Sequence, residues 1–362
     1  MDKFNFILEH KYKDYINIEK NNKILLFIKN YLQPIIKNDN NIFLSLSLGV
    51  DSACLFFIFI ELRKILNFNL HVAHVNYRNR PESNDECQFI INLCEKYNII
   101  PFINIMPIIR KNISREEYEK KTNIMRYDFY KDILYSFNSN NGFFLAHIKD
   151  DKVENIFSNI LNGRSILDLE VFQYNNIVNG VQIHRPLLDT FKSDLFTLAH
   201  KHNIPYFKNS TPTWARRYIM RFLVFPFLTE KFGNFIPNLL NIGKQSSDCS
   251  KTINRTIIEP FFRENIKFNK NGIYFEINND IKNFEDTIWN IIFTKIFHDL
   301  FSHPRPSNNS IENFIKTIKS SRNEGFINLS KDFECYFKNN TYFIYNNKNI
   351  ENKKEIINTI LE

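Results

Sequence analysis

A chain of 362 residues is long enough to bury one large core or two smaller ones, which excludes a mini-protein. Its 47 lysines and arginines against 39 acids, with a pI near 9.0, permit attraction to a polyanion without requiring one. Five scattered cysteines (Cys54, Cys87, Cys94, Cys249, Cys335), none in a C-x-x-C pair, argue against a disulfide framework, a zinc knuckle or a simple iron–sulfur site and point to a reducing compartment.

No apolar run reaches the ~20 residues that a membrane span needs; the longest, 53–60, reads as the buried part of a short helix. The N-terminus carries Asp2, Glu9 and Asp14 among its lysines, unlike a secretory signal or a transit peptide, so a soluble, cytoplasmic protein without a membrane partner is expected. Asn, Ile, Lys and Phe are heavily used while Gly numbers only 8, a bias that fits an A/T-rich coding sequence and makes each glycine informative.

In chain order, residues 1–40 read as an N-terminal extension. Then come a strand at 42–46, a helix at 52–66, a strand at 70–75, a helix at 85–97, a strand at 101–106, a long helix at 115–137, a strand at 143–147 and a helix at 150–161. This β-α-β-α rhythm predicts an α/β fold, a doubly wound parallel sheet of Rossmann type covered on both faces. A looser stretch at 162–179 leads into 180–185, a helix at 191–202, a short strand at 205–208 and a helix starting near Trp214, so a catalytic domain over 41–240 is expected. Beyond it, strands at 273–277 and 333–345 and a helix at 284–301 suggest a small α+β region over 241–362.

At the first strand-to-helix turn stands Ser47-Leu48-Gly49-Val50-Asp51-Ser52. Backbone N–H groups at a helix start point outward unsatisfied, so a loop of small residues there lets a pyrophosphate approach, and the Ser47 and Ser52 hydroxyls add hydrogen bonds. Read alone, Asp51 and Ser52 are as well explained as caps of an ordinary helix. The string resembles the S-G-G-x-D-S signature of PP-loop ATPases, which cleave ATP between its α- and β-phosphates; Leu48 stands where the family has its first glycine. No Walker A string or G-x-G-x-x-G fingerprint occurs, which favours AMP transfer over γ-phosphoryl transfer.

Five further segments sit in an order that resembles the tRNA(Ile)-lysidine synthase family over roughly residues 40 to 230. The second strand ends in His71-Val72-Ala73-His74-Val75-Asn76-Tyr77, with Arg78 and Arg80 following, and the long helix carries Arg126-Tyr127 with Asn123 in place of a family arginine. Next come His147-Ile148-Lys149-Asp150-Asp151-Lys152-Val153-Glu154, with Gly163 after the helix, and Arg185-Pro186-Leu187-Leu188 before Lys192. Last is Ser210-Thr211-Pro212-Thr213-Trp214 ahead of Arg217 and Arg221. The bland readings are a solvated acidic first turn for Asp151 and Glu154, an exposed arginine for Arg126 and a basic helix surface for Arg217 and Arg221.

The resemblance implies an ATP site of Ser47, Leu48, Gly49, Val50, Asp51, Ser52, His74, His147 and Gly163, with Asp51 helping to hold Mg²⁺. It implies Asp151, Glu154, Arg126, Arg217 and Arg221 at the reacting centre, with Lys120 or Lys121 making up for the arginine lost at Asn123. The implied partners are ATP, L-lysine and a tRNA with a C-A-U anticodon, and the implied chemistry is adenylation of the wobble cytidine O2 followed by attack of the lysine ε-amine. A PP-loop tRNA thiolase and an inactive tRNA-binding relative are the competing readings.

Overall fold

The computed structural model describes residues 16–79, 81–108, 113–208, 216–320 and 322–349. The chain forms two compact units, one of residues 1–164 and 169–244, the other of 165–168 and 245–362.

The first unit is built on β1 (Asn41–Ser45), β2 (Asn69–Asn76), β3 (Phe102–Ile105), β4 (Phe143–Phe144), β5 (Asn175–Val178) and β6 (Val181–His184), in the order β3-β2-β1-β4-β6-β5. Only the edge strand β5 runs antiparallel to its neighbour. Ile42, Phe43 and Leu44 on β1 are fully buried, as expected of a strand covered on both faces. On one face α1 (Lys23–Ile36), α2 (Val50–Leu66), α3 (Ser83–Lys96) and α6 (Lys192–Lys201) share a core with Ile42 and Leu44. On the other, Tyr127, Tyr130 and Ile133 of α4 (Arg115–Ser136) pack on Phe43, Phe143 and Ile183. The doubly wound α/β fold expected from the β-α rhythm is thus the fold observed. Its strand order reverses between β1 and β4, the place where such sheets hold ligands.

Beside the sheet, α5 (Lys149–Leu161) packs through Val153 and Ile156 against Met220, Phe225 and Leu239. Those residues come from a helical run of α7 (Arg216–Ile219), a π turn (Met220–Val224), α8 (Phe225–Phe232) and α9 (Phe235–Ile253). Three details depart from the sequence reading. Helix α1 was not anticipated in the stretch before residue 41, yet Leu25, Ile28 and Leu32 at three- and four-residue spacing drive it into the core. The loose 162–179 stretch contains the edge strand β5. Residues 205–208 form no strand of the sheet; Phe207 N donates to Leu48 O at 2.8 Å and tethers the first loop instead.

The second unit holds α10 (Glu259–Glu264), β7 (Lys267–Asn269), β8 (Gly272–Glu276), α11 (Asn279–Lys282), α12 (Asp286–Lys295), α13 (Asn308–Lys319), β9 (Glu324–Asn328), β10 (Phe333–Lys338) and β11 (Thr341–Asn346). Its sheet is antiparallel, in the order β7-β8-β11-β10-β9. Phe275, Trp289, Phe293 and Phe314 fill its core. The strand expected at 333–345 is a hairpin, because Asn339 and Asn340, at φ +48° and +67°, supply the two left-handed residues of a tight turn.

Candidate active site

A cavity of ≈ 1420 Å³ lies at the carboxyl ends of β1 and β4. Its floor is the loop from Leu46 into α2. Ser47, Gly49, Val50, Asp51 and Ser52 all line it, with the Ser47 and Ser52 hydroxyls 3.0 Å apart and Ser52 Oγ donating to Gly49 O at 3.2 Å. Leu48 turns away from the cavity into the core, fully buried, with φ at +54°. Leu48 thus holds a left-handed backbone that a glycine would adopt without cost, and the side chain's burial holds it there. Leu48→Gly removes a backbone cost of roughly 1–2 kcal/mol but forfeits a buried side chain worth about 2–5 kcal/mol, so a net loss of about 1–3 kcal/mol is expected in urea denaturation. A more stable variant would mean that strain, not burial, dominates at this position.

Asp51 sits in the first turn of α2, where the outward N–H groups favour an anion. Its Oδ1 is buried without a hydrogen-bond partner, and Oδ2 lies 3.7 Å from the Lys192 ammonium. Burial pushes its carboxyl up to about 6; Lys192 opposes this and Asp151 reinforces it. A lone carboxylate oxygen beside a phosphate-type loop is the donor that Mg²⁺ uses in nucleotide sites, where phosphates and waters complete the shell. The residues thus fit a nucleotide-borne Mg²⁺; among the described residues no cluster of three or more His, Cys, Asp or Glu side chains suits a metal held by protein alone.

Asp151 and Glu154 project from the start of α5, 5% and 3% exposed. Asp151 Oδ2 accepts from the Ile148 backbone at 3.0 Å and fixes the helix start. Its other oxygen accepts from Arg221 Nη2 at 2.8 Å, and Arg221 Nε donates to Glu154 Oε1. Arg217 stands farther off, at 3.7 Å from Asp151 and 3.5 Å from Glu154, with half its side chain exposed. Burial would raise both acids. At Asp151 the charges of Arg217 and Arg221, with the Ile148 N–H, outweigh it and hold the carboxyl below its usual range. At Glu154 burial wins over Arg221 and Arg217, so this carboxyl is raised. Two neighbouring acids pushed in opposite directions are suited to different roles.

His147 lines the cavity beside them, stacked on Phe172 at 4.8 Å. Arg185 Nε donates to His147 Nδ1 at 3.1 Å. A guanidinium only donates, so Nδ1 carries no proton and Nε2 does. Burial, with Arg185 adding to it against Asp151, drops the imidazole to about 3, and His147 stays neutral. His74 has the opposite arrangement: its Nδ1 faces Leu46 O at 2.8 Å and must donate, leaving Nε2 as an acceptor. Arg126 also lines the cavity, over the Tyr127 ring at 5.1 Å, with a buried Nε that lacks a partner.

Not every expected residue converges here. Gly163, at φ +64°, ends α5: its N–H meets Ile160 O at 3.0 Å and that of Arg164 meets Asn159 O at 3.0 Å, a helix-closing pair at the opposite end from Asp151. Asn123 accepts from Asn179 at 2.9 Å, and Lys121 pairs with Glu117 on the solvent side of α4, so neither neighbouring lysine lines the cavity. His71 stacks on Phe43 and meets Asn41 at 3.0 Å, a structural role. Arg80 and the segment 209–215 lie outside the described residues. Three contributors escaped the site expected from sequence: Arg185, which orients His147; Lys192, which faces Asp51; and Asp150, whose Oδ2 accepts from Lys192 N at 2.9 Å and anchors α6.

A reversed-order parallel sheet with a small-residue loop feeding a helix start defines a nucleotide-binding class. The sequence profile described as a PP-loop domain matches residues 17–227, and the chain belongs to that family, a class that uses ATP. Within it the chain is similar to tRNA(Ile)-lysidine synthases. That of Staphylococcus aureus (strain MRSA252) is 25% identical over 296 residues, covering 81% of this chain and 68% of its own. That of Ureaplasma parvum serovar 3 (strain ATCC 700970) is 26% identical over 254 residues, covering 68% and 71%. Among solved structures, the U34-tRNA thiolase NcsA from Methanococcus maripaludis with its 4Fe-4S cluster is 17% identical, covers 62% of this chain and 80% of its own, and gives a TM-score of 0.47.

Proposed function

We propose that this chain is an ATP-dependent ligase that forms the C–N bond of lysidine in a tRNA with a C-A-U anticodon. The observation that carries the reading is the pair of buried carboxylates with opposed protonation tendencies beside a PP-loop. The wobble cytidine O2 attacks the α-phosphorus of ATP, the bond to the β-phosphate breaks and pyrophosphate leaves. The lysine ε-amine then attacks C2, and AMP departs with the former O2. Adenylation is required because the bare oxygen is a poor leaving group.

The loop from Ser47 to Ser52 and the start of α2 hold the phosphates, and Arg126 supplies a cation for charge that develops there. Asp51 would hold Mg²⁺ on the protein side, and the ion would supply neutralisation of the phosphates. Asp151 keeps a fixed negative charge for the incoming ammonium, and Glu154, the stronger base, takes its proton. His147 offers Nε2–H as a neutral donor. Arg217 and Arg221 neutralise the two acids and screen them from each other until substrate arrives.

Sulfur transfer is disfavoured because none of the cysteines lines the cavity; Cys54, Cys87 and Cys94 are buried, with thiols pushed up by burial. The unpaired cysteines suit a reducing cytoplasm, and among the described residues no helix is long and apolar enough to cross a membrane.

Incubation with ATP, Mg²⁺, radiolabelled lysine and a C-A-U tRNA tests the reading. Label entering RNA only with ATP, and lost in Asp51→Ala, is the expected result. AMP release without label would redirect the second step to another nucleophile, and neither product would leave a tRNA-binding protein.

A further inference from the structure

Beyond the cavity, the helical run from residue 216 to 232 exposes an unusual amount of apolar surface. Ile219, Phe222, Leu223 and Phe227 recur at three- and four-residue spacing and are 45%, 55%, 62% and 56% exposed, and Phe232 is 70% exposed. The same run buries Met220 and Phe225 against α5 and α9, so the exposed set is a second face and not a loosely packed core. It is continuous with the cavity, whose wall includes Phe222 and Pro226.

The charges on this run favour one kind of occupant. Between 216 and 232 they are Arg216, Arg217, Arg221 and Lys231 against Glu230; Lys231 and Glu230 pair with each other at 2.6 Å and Arg221 is held by Asp151 and Glu154, which leaves Arg216 and the half-exposed Arg217 facing solvent. A second copy docking through the same patch would bring its own excess of positive charge to the contact. A polyanion with flat apolar groups satisfies both features, since bases stack on aromatic rings while phosphates meet the cations.

We propose that this face is a stacking platform for the unpaired loop bases that flank the nucleotide entering the cavity. The proposal rests on the tRNA reading above and specifies which side chains hold the loop.

The test is fluorescence anisotropy with a labelled anticodon stem-loop RNA carrying C-A-U, alongside sedimentation. Phe222→Ala and Phe227→Ala are each expected to weaken RNA binding about tenfold, Phe222→Tyr to restore it, and Phe227→Ala to leave ATP affinity unchanged. Wild-type binding that both alanine variants leave intact would overturn the platform alone. So would intact RNA binding with a dimer turning to monomer, which would assign the face to a second copy. A wild-type chain that binds no RNA would overturn the platform and the tRNA reading together.

Discussion

Arg221→Leu is expected to lower folding stability at pH 7 by about 3–5 kcal/mol, the range for stripping a buried charge of its partner. Arg221 binds Asp151 and Glu154 at once, and without it two nearly inaccessible carboxylates face each other with only the half-exposed Arg217 nearby. The loss should depend on pH, and its sign follows from the acids. In the wild type Asp151 is held below its ordinary 3.8, so it contributes stability above that value, which fades as pH falls through the depressed one. In the variant the native acids bind protons more readily than the unfolded chain does, so stability rises as pH falls from 7 toward 4. Urea denaturation at pH 7 and pH 5 checks this. An equal deficit at both values would place the damage in packing and not in charge.

Glu154→Gln should slow lysine transfer by about 10²–10⁴-fold, the usual weight of a general base. The wild-type rate should decline as pH falls through the raised value of Glu154, above its ordinary 4.5, because only the ionised form accepts a proton. In the glutamine variant that acid limb disappears, and the residual rate climbs toward the intrinsic lysine pKa of about 10.4. Exchange of pyrophosphate into ATP in the presence of tRNA should survive and show that the variant is folded. If exchange falls as far as transfer, Glu154 serves the adenylation step.

Much of the first unit was legible because its apolar runs are short, and because most of the signatures mark strand ends that the sheet brings to one crevice, while the others lie on helices beside it. What escaped did so for physical reasons. Edge strand β5 alternates weakly, since one side of it has no neighbour. The 333–345 hairpin hid its turn in two asparagines, which read as polar strand residues until their φ values are known. Arg185 stood in a segment of the family resemblance without a role of its own, and only its 3% exposure and its donation to His147 reveal what it positions. Gly163 was drawn into the site by its place in a familiar string, although φ +64° at a helix end accounts for it. Arg217 and Arg221 were expected at the reacting centre; their nearest charges are the two acids, a pairing that four-residue spacing on one helix does not disclose.

The scarcity of glycine carries a consequence for how such a sequence drifts. Among the described residues, ten other than glycine have positive φ, and seven of them are asparagine. Asparagine tolerates that region through local hydrogen bonds and leaves the unfolded chain fewer states than glycine does. Base-composition pressure toward asparagine codons can therefore sweep through turns at little thermodynamic cost. It halts where a first side-chain carbon has no room: at Gly142 that atom would sit 2.1 Å from the Gln182 carbonyl oxygen.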